Sequence, residues 1–462
     1  MVSQEKQKSL YIKTWGCQMN VYDSNRMVDI LKPFGYTTTD VPDDADMVIL
    51  NTCHIREKAT DKVFSELGRL RDYKEAKKAK GEKMLLAVAG CVAQAEGEFI
   101  AKRAPYVDMV IGTQTYHELP EMIAQALGAY GSNRIINTDF PVEQKFDYLP
   151  EEQQDVTPSA FLSIQEGCDK FCTFCVVPYT RGSEYSRTVE TILDEAKRLI
   201  DAGAKEINVL GQNVNAFHGE DKLGNTWDLG KLLFAIAELP VERIRYTTSH
   251  PRDMHDSLYA AHRDLPKLMP WLHLPIQSGS DNILKHMNRK HTADDYKRII
   301  DRLRTDRPDI AFGSDIIVGF PGETEEDFQA TMDIVKYTNY SQCYSFKYSA
   351  RPGTPAANMG GLVAEHIKSE RLTRLQTLIR EQQASFNKKC EGITMPVLID
   401  RESDTEGRLV GHTEYNQSVI MDGNKRLYGQ IIDVAITNGT PNNLVGNIVT
   451  TEDKTLKDIK TA

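Results

Sequence analysis

The sequence predicts an α/β protein in three parts: an open parallel sheet, a partial TIM-like (β/α)6 barrel and a small all-β barrel. In the first two parts, apolar strand-like stretches alternate with longer stretches of mixed polarity, which is typical of parallel strands joined by helices. In the last part, short strand-like stretches are separated by Gly, Asp and Asn. The 462 residues are enough for several such domains.

The first predicted domain covers residues 8–139. Its strand-like stretches are SLYIKTW, DMVILNT, MLLAVAG and VDMVIGT, and a helical stretch follows each of them. Continuous apolar strands in this alternation predict a parallel sheet that is covered by helices on both faces. Residues 140–159 are polar, hold three prolines and show no sustained period, so we interpret them as a linker.

The second predicted domain covers residues 160–389. Its candidate strands are AFLSIQ, EINVLGQ, RIRYTTS, LHLPIQS, AFGSDIIVGF and CYSFKYS, and its candidate helices are 188–202, 228–238, 280–287, 293–305 and a charged helix at 363–389. Repeated β/α units in one domain favour a full or partial barrel. Residues 390–455 form the third predicted domain, the small β-barrel.

Composition places only loose bounds on function. Hydrophobic residues make up 40% and charged residues 26% of the chain, and the formal net charge is −10, which argues weakly against nucleic-acid binding. Residues 56–83 and 285–307 each carry a local charge of +4, although solvated helix faces are the more ordinary origin of such runs. The polar N-terminus lacks the apolar core of a signal peptide, so we expect a cytoplasmic protein with no membrane or DNA partner.

A cysteine triplet, Cys168, Cys172 and Cys175, stands at C-x3-C-x2-C spacing. The triplet follows the first predicted barrel strand. This places it at the barrel mouth, where β/α barrels carry their active sites. Three crowded thiols suit a soft metal site. Structural zinc usually takes four ligands, whereas three cysteines on a [4Fe–4S] cluster leave one iron open, so we favour the cluster and keep zinc as the alternative.

Three further cysteines, Cys17, Cys53 and Cys91, each come directly after a predicted strand of the first domain. Because the carboxyl ends of parallel strands meet at one edge of a sheet, we expect these thiols to converge on a second metal site. The alternative is that each is a small buried residue. Cys343 and Cys390 have no further cysteine near them in the sequence, and we interpret both as core residues.

The central triplet, with the aromatic Phe174 before its last cysteine, resembles that of the radical S-adenosylmethionine (SAM) enzymes. The resemblance implies that the open iron binds SAM. It further implies that one electron breaks the sulfonium bond of SAM and gives a 5′-deoxyadenosyl radical. The predicted barrel would then be a radical SAM barrel.

The whole layout is similar to that of the methylthiotransferases, whose last module is the RNA-binding TRAM domain. The segments GCQMNVYDS, TSHPRD, LHLPIQSGS and IIVGFPGET match this family. GCQMNVYDS resembles the branch that acts on tRNA, which implies methylthiolation at C2 of the N6-dimethylallyl (isopentenyl) adenosine at position 37 of the anticodon stem-loop. The alternatives are a threonylcarbamoyladenosine tRNA or ribosomal protein S12 as substrate, an iron–sulfur electron carrier or scaffold, and a zinc-binding RNA module.

The resemblance implies two [4Fe–4S] clusters, SAM, an electron-donor protein and a sulfur donor. The cluster ligands would be Cys17, Cys53, Cys91, Cys168, Cys172 and Cys175. Gln212 and Asn213, after the second barrel strand, are candidate SAM contacts, and so is Asp315, for which a structural role is equally open. No catalytic acid or base is assigned.

Overall fold

A computed structural model describes residues 7–53, 59–128, 134–141, 145–151 and 156–449. Parts of the predicted segments lie outside these residues: 129–133 of the first domain, 56–58 of the first basic run, 142–144 and 152–155 of the linker, and 450–455 of the last domain. The chain divides into two compact units. The first unit contains Met1–Asp155, Glu166–Asp169 and Val176–Glu184, and the second contains Val156–Gln165, Lys170–Cys175 and Tyr185–Ala462. The predicted domain boundaries stay predictions.

The first unit is built on a parallel sheet, as the apolar strands predicted. Its strands are β1 (Lys8–Trp15), β2 (Tyr36–Thr38), β3 (Met47–Thr52), β4 (Leu85–Gly90), β5 (Met109–Ile111) and β6 (Ile135–Asn137). They pair in the order β2-β1-β3-β4-β5-β6, and every pairing is parallel. Every residue of β3 and β4 is buried, which explains why both read as unbroken apolar runs.

Helices cover both faces of this sheet. They are α1 (Gln18–Leu31), α2 (Ala59–Ala79), α3 (Cys91–Arg103) and α4 (Leu119–Ala126). Met47 and Ile49 of β3 belong to the apolar cluster that includes α1 and α4, whereas Val48 and Leu50 belong to the cluster that includes α2 and α3. Successive side chains of a strand point to opposite faces, so both faces of the sheet are core.

The elements that follow alternate strands and helices. They are β7 (Ser159–Ser163), β8 (Gln165–Glu166), α5 (Val177–Thr180), β9 (Tyr185–Ser186), α6 (Val189–Asp201), β10 (Glu206–Leu210), α7 (Leu229–Glu238), β11 (Arg243–Tyr246), α8 (Asp256–Asp264), β12 (Trp271–His273), α9 (Asp281–His286), α10 (Ala293–Asp306), β13 (Ala311–Val318), α11 (Glu325–Thr338), β14 (Gln342–Lys347) and α12 (Glu365–Lys388).

In the second unit, six parallel strands form the predicted partial barrel. They pair as β11-β10-β7 and as β12-β13-β14, and a parallel bridge between Ile244 and Leu268 links the two sheets. One apolar cluster joins these strands to the surrounding helices. Cys343 of β14 packs against that cluster, in agreement with a core role.

Helices α8 and α11 were not among the predicted helices. The start of α11 carries a capping box in which Thr324 Oγ1 accepts a bond from Asp327 N at 3.1 Å and Asp327 Oδ2 accepts one from Thr324 N at 3.0 Å. The T-x-x-D pattern was therefore a readable start signal, since its side chains satisfy the free N–H groups of the first turn. In the described part of the chain, no helix is both long and apolar enough to span a membrane.

The last part of the second unit is a closed five-stranded barrel, which confirms the predicted all-β module. Its strands are β15 (Thr394–Glu402), β16 (Arg408–His412), β17 (Ser418–Asp422), β18 (Ile431–Gly439) and β19 (Leu444–Ile448), in the closed order β15-β16-β17-β19-β18. The last strand, β19, was not predicted. Cys390 lies in the apolar core of this barrel, as expected of a core cysteine.

A buried polar junction attaches the β-barrel to the amino ends of β10 and β11. Glu206 Oε2 accepts a bond from Arg245 Nε at 2.9 Å, and Glu206 Oε1 lies 2.9 Å from His412 Nε2. Arg245 also donates to the backbone carbonyls of Thr413 at 2.6 Å and Glu414 at 2.9 Å. The junction therefore occupies the amino ends of the strands. The carboxyl ends, where such barrels carry their catalytic and binding residues, stay open to other residues.

Candidate functional site

Cys17, Cys53 and Cys91 follow three neighbouring strands of the first unit. Cys17 stands at the N-cap of α1 just after β1, Cys53 follows β3, and Cys91 is the first residue of α3 after β4. Because β1, β3 and β4 are parallel neighbours, their carboxyl ends bring the three cysteines to one edge of the sheet. Cys17 and Cys91 also meet the positive end of a helix dipole, which favours a thiolate.

Glycines make the close approach of these strand ends possible. Gly16 has φ +141°, and a Cβ on it would lie 2.3 Å from the Cβ of Cys53. Gly90 has φ +88°, and a Cβ on it would lie 2.4 Å from Asn51 Oδ1. Both glycines have a positive φ that other residues rarely adopt. A side chain at either position would also collide with Cys53 or Asn51 and move the strand ends apart.

The thiol of Cys53 interacts with each of the other two thiols. The Cys53 thiol forms hydrogen bonds with the thiols of both Cys17 and Cys91. Hydrogen bonding with Cys53 lowers the pKa of Cys17 to about 7 and that of Cys91 to about 6, and the charge of Arg181 lowers both further against the opposing effect of burial. The same hydrogen bonds raise the pKa of Cys53 well above its usual value. Two of the three sulfurs are thus disposed to be thiolates near neutral pH.

A buried group of charges adjoins the thiols. Arg181 donates to Asp23 Oδ2 at 2.6 Å and to Glu166 Oε1 at 2.7 Å, and its positive charge helps to lower the pKa of the Cys91 thiol. Lys145 donates to Glu166 Oε1 at 2.8 Å and lies 3.7 Å from Asp23 Oδ1. All four charged side chains are 3% exposed or less. The cost of removing each charge from water is therefore offset by the opposite charges beside it.

The donor set at this edge is three soft sulfurs. Among the described residues, no three His, Cys, Asp or Glu side chains are arranged to hold a single metal ion. Structural zinc takes four ligands, whereas an iron–sulfur cluster takes thiolates, each on its own iron. The chemistry of the residues present therefore fits an iron–sulfur cluster better than a structural zinc ion.

The central triplet divides between the two units. Cys168 belongs to the first unit, where its N–H donates to the carbonyl of Gly182 at 3.3 Å. Cys172 and Cys175 belong to the second unit, where Cys175 N donates to the carbonyl of Cys172 at 2.9 Å. Arg289 Nη1 lies 3.7 Å from Cys172 Sγ, so this triplet, like the first, has an arginine beside one of its sulfurs.

The turn that carries Cys172 and Cys175 is held in a strained conformation. Phe171 has φ +47° and its ring is exposed. The side chain of Asn288 donates to the carbonyls of Lys170 at 3.3 Å and Phe171 at 3.0 Å, and Thr173 N donates to the carbonyl of Met287 at 3.1 Å. Positive φ at an aromatic residue persists only where neighbours enforce it, and it is common at functional sites.

The candidate SAM contacts Gln212 and Asn213 follow β10 and are tied to β8. Gln165 Oε1 accepts bonds from the N–H groups of Gln212 at 3.0 Å and Asn213 at 3.3 Å. The Asn213 side chain donates to Asp253 Oδ2 at 2.8 Å, while Lys170 pairs with Asp253 Oδ1 at 2.8 Å. Among the described residues, the buried Asn213 Oδ1 has no hydrogen-bond partner, and such an acceptor suits an amino group of a ligand.

Asp315 lies within β13 and contacts a different neighbour. Its carboxylate is 3.5 Å from His273 Nε2. In the register of the sheet, Asp315 stands beside Tyr344 of β14, and His273 stands beside Gly313, so Asp315 and His273 share one face of the sheet. Its role as a SAM contact stays a prediction.

The two basic runs are largely helical. In α2, Arg71 pairs with Glu75 at 2.6 Å and Lys74 pairs with Asp108 at 2.5 Å. In α10, Lys297 pairs with Asp294 at 3.1 Å. These pairs offset part of the local positive charge, as on a solvated helix face, and RNA contact by these runs stays a prediction.

Three family models match consecutive parts of the chain. Residues 9–112 match the uncharacterized protein family UPF0004, residues 162–335 match the radical SAM superfamily, and residues 388–449 match the TRAM domain.

Solved structures with this fold include two enzymes at low sequence identity. The cobalamin-dependent SAM radical enzyme OxsB matches with a TM-score of 0.54 and 13% identity over 81% of this chain, which spans 56% of that enzyme. The radical SAM methyltransferase TsrM from Kitasatospora setae, solved with cobalamin and a [4Fe–4S] cluster, matches with a TM-score of 0.55 and 11% identity over 87% of this chain and 77% of that one. These likenesses show the fold.

The central match and the partial barrel define residues 162–335 as a radical SAM domain. More particularly, UPF0004, radical SAM and TRAM in this order form the domain architecture that is typical of methylthiotransferases.

Several residues at these sites were missed by the sequence reasoning, above all Arg181 and Arg289 beside the sulfurs, and Gln165 beside the SAM candidates. Arg181 lies soon after Cys175 and Gln165 ends a predicted strand, so their positions alone were a weak signal. Their contacts join segments far apart in the chain, and nothing in the local sequence indicates them.

Proposed function

We propose that the protein is a tRNA methylthiotransferase with the activity of a tRNA 2-methylthio-N6-dimethylallyladenosine synthase. Its product would carry a methylthio group at C2 of the N6-dimethylallyladenosine at position 37. The observation that carries the proposal is the convergence of Cys17, Cys53 and Cys91 at one edge of the sheet, with Cys53 interacting with both other thiols, in a chain whose central part matches the radical SAM superfamily. The GCQMNVYDS segment at 16–24 supports the choice of substrate.

The two groups of cysteines would each hold one of the two proposed clusters. Cys168, Cys172 and Cys175 would hold the [4Fe–4S] cluster that binds SAM, and Cys17, Cys53 and Cys91 would hold a second one. When bound, these groups supply the one-electron and sulfur chemistry that the C2–H bond of adenine requires, since that bond is neither acidic nor open to polar attack.

The residues of the chain would orient and shield the reactants. Asn213 would accept a bond from the SAM amino group, while its own amide stays fixed by Asp253 and, through Asp253, by Lys170. The carboxyl ends of the barrel strands would receive a base that has left its stack in the tRNA loop. The TRAM-matching barrel supports RNA as the partner, and an electron donor, a sulfur donor and a cytoplasmic location complete the proposal.

We expect methylthiolation of tRNA in a reconstituted reaction. The anaerobic protein, with dithionite, SAM and sulfide, is incubated with tRNA that bears N6-dimethylallyladenosine, and nucleosides are analysed by mass spectrometry. The 2-methylthio nucleoside should appear together with 5′-deoxyadenosine, and tRNA with unmodified adenosine is the control. Product only with threonylcarbamoyladenosine tRNA or with ribosomal protein S12 contradicts the substrate. A fully loaded protein that forms no 5′-deoxyadenosine is an electron carrier instead.

Replacing Asn213 with alanine is expected to weaken SAM binding by about tenfold, which corresponds to about 1.4 kcal/mol for one lost hydrogen bond. The measurement is isothermal titration of SAM into the reconstituted protein. Asn208→Ala is the matched control, because Asn208 is another buried asparagine but lies within β10, where its amide donates to Ser159 Oγ at 2.6 Å. Equal affinities in Asn213→Ala and the parent protein contradict the assignment of Asn213.

A further inference from the structure

Arg181 lies outside the segment that carries Cys17, Cys53 and Cys91, yet it belongs to the same compact unit. It follows α5, soon after the last cysteine of the central triplet. Gln114 Nε2 donates to the Arg181 carbonyl at 2.9 Å, and Thr113 Oγ1 donates to the carbonyl of Thr180 at 2.5 Å. These bonds anchor the segment in the first unit, so the first cysteine site includes a side chain that its own segment does not supply.

The guanidinium of Arg181 acts on three groups. It donates to the carboxylates of Asp23 and Glu166, and its interaction with Cys91 lowers the pKa of that thiol. A planar fork with several N–H donors can serve these partners together, whereas the single ammonium of a lysine could not keep the same geometry. Because the side chain is 2% exposed, water does not replace any of these contacts.

Without the sulfurs, the buried charges in the group around Arg181 sum to zero. Arg181 and Lys145 are the cations, and Asp23 and Glu166 are the anions. Lys145 is directed to Glu166 and to the carbonyl of Thr113 at 2.9 Å, whereas the charge of Arg181 lowers the pKa of both Cys17 and Cys91. Thiolates and a cluster that they hold add negative charge, and a nearby fixed cation stabilises each added electron.

We propose that Arg181 is a positioning residue of the Cys17–Cys53–Cys91 site. Its guanidinium holds the Cys91 sulfur in place for iron and makes the bound cluster easier to reduce. Asp23, which accepts a bond from the same guanidinium, acts in the opposite direction on the reduction potential. The inference rests on the proposed function, because it takes the second cluster as given.

The test uses the full chain with Cys168, Cys172 and Cys175 all changed to alanine, so that only the first site can hold iron. After anaerobic reconstitution, iron and sulfide are quantified and the reduction potential is measured by titration followed by electron paramagnetic resonance. In this background, Arg181→Gln should lower the iron content and shift the potential to more negative values. Asp23→Asn should shift the potential to more positive values.

Opposite shifts distinguish an electrostatic role from general damage, which would move both variants in the same direction. Arg26→Gln is the matched control, since Arg26 is a buried arginine of the same unit that pairs with Asp29 at 2.9 Å, and its potential should equal that of the background. If Arg181→Gln alone does not fold, the Asp23→Asn/Arg181→Gln variant keeps the buried charges balanced and should show a more negative potential than Asp23→Asn.

An Arg181→Gln protein with the iron content and potential of the background overturns the inference and leaves the second cluster standing. A background protein that binds no cluster at all overturns the second cluster itself, and the inference with it.

Discussion

Replacing Cys17, Cys53 and Cys91 together with alanine is expected to lower the iron content of the reconstituted protein from about eight to about four atoms per chain, if each site holds a four-iron cluster. The methylthiolated nucleoside should disappear, because sulfur transfer needs the lost site. Formation of 5′-deoxyadenosine should persist, because the central triplet is intact. Iron and sulfide assays and nucleoside mass spectrometry on the same preparation measure all three quantities.

The reciprocal variant, with Cys168, Cys172 and Cys175 changed to alanine, should keep about four iron atoms and lose both products. Cys343→Ala and Cys390→Ala are the controls, since both cysteines pack in apolar cores and should leave the iron content unchanged. Full iron content after loss of Cys17, Cys53 and Cys91 is the result that contradicts a second cluster.

Replacing Glu206 with glutamine is expected to lower the free energy of unfolding by about 3–5 kcal/mol, the usual cost of removing one partner of a buried ion pair. The neutral amide leaves Arg245 without its buried counter-charge and His412 with Asp400 alone, and it turns an N–H donor toward groups that themselves donate. Urea unfolding followed by circular dichroism measures the change. Glu242→Gln is the control, because Glu242 pairs with Lys205 at the surface and should change stability by less than about 1 kcal/mol.

The same junction predicts how stability depends on pH. Burial lowers the pKa of His412, but hydrogen bonds with Asp400 and Glu206 outweigh burial and raise it. A raised pKa means that the contribution of His412 is complete below about pH 6.5 and is lost as the pH rises through its folded-state pKa. Burial raises the pKa of Glu206, but Arg245 and His412 outweigh burial and lower it, so its contribution is lost only in acid.

We therefore expect the melting temperature to fall as the pH rises above about 6.5 and through the raised pKa of His412, and this fall should be smaller in His412→Gln. Arg243 and Arg245 also face the junction, where they donate to the backbone carbonyls of His412 and Glu414. Parallel profiles for the two proteins would show that His412 does not titrate in this window.

The positions of the strands and of the cysteines were predictable. The runs DMVILNT and MLLAVAG are apolar because β3 and β4 are buried on both faces, and that burial is visible in the sequence itself. From parallel strands it follows that Cys17, Cys53 and Cys91 meet at one edge. Short elements such as β2 and β6 were missed, and so were α8, α11 and β19; of the last three, α11 carries a clear start signal, the capping box at Thr324.

The local pattern of apolar and polar residues was thus enough to establish the class of fold and to assign the cysteines to two groups, because periodicity and strand ends are properties of neighbouring residues. The surroundings of those cysteines came from folding alone. Arg181 meets Asp23 across 158 residues of chain, and His412 meets Glu206 across 206. Buried charges are stable only where opposite charges from other segments reach them, and which segments meet depends on how the elements pack, a relation that no short stretch of sequence contains.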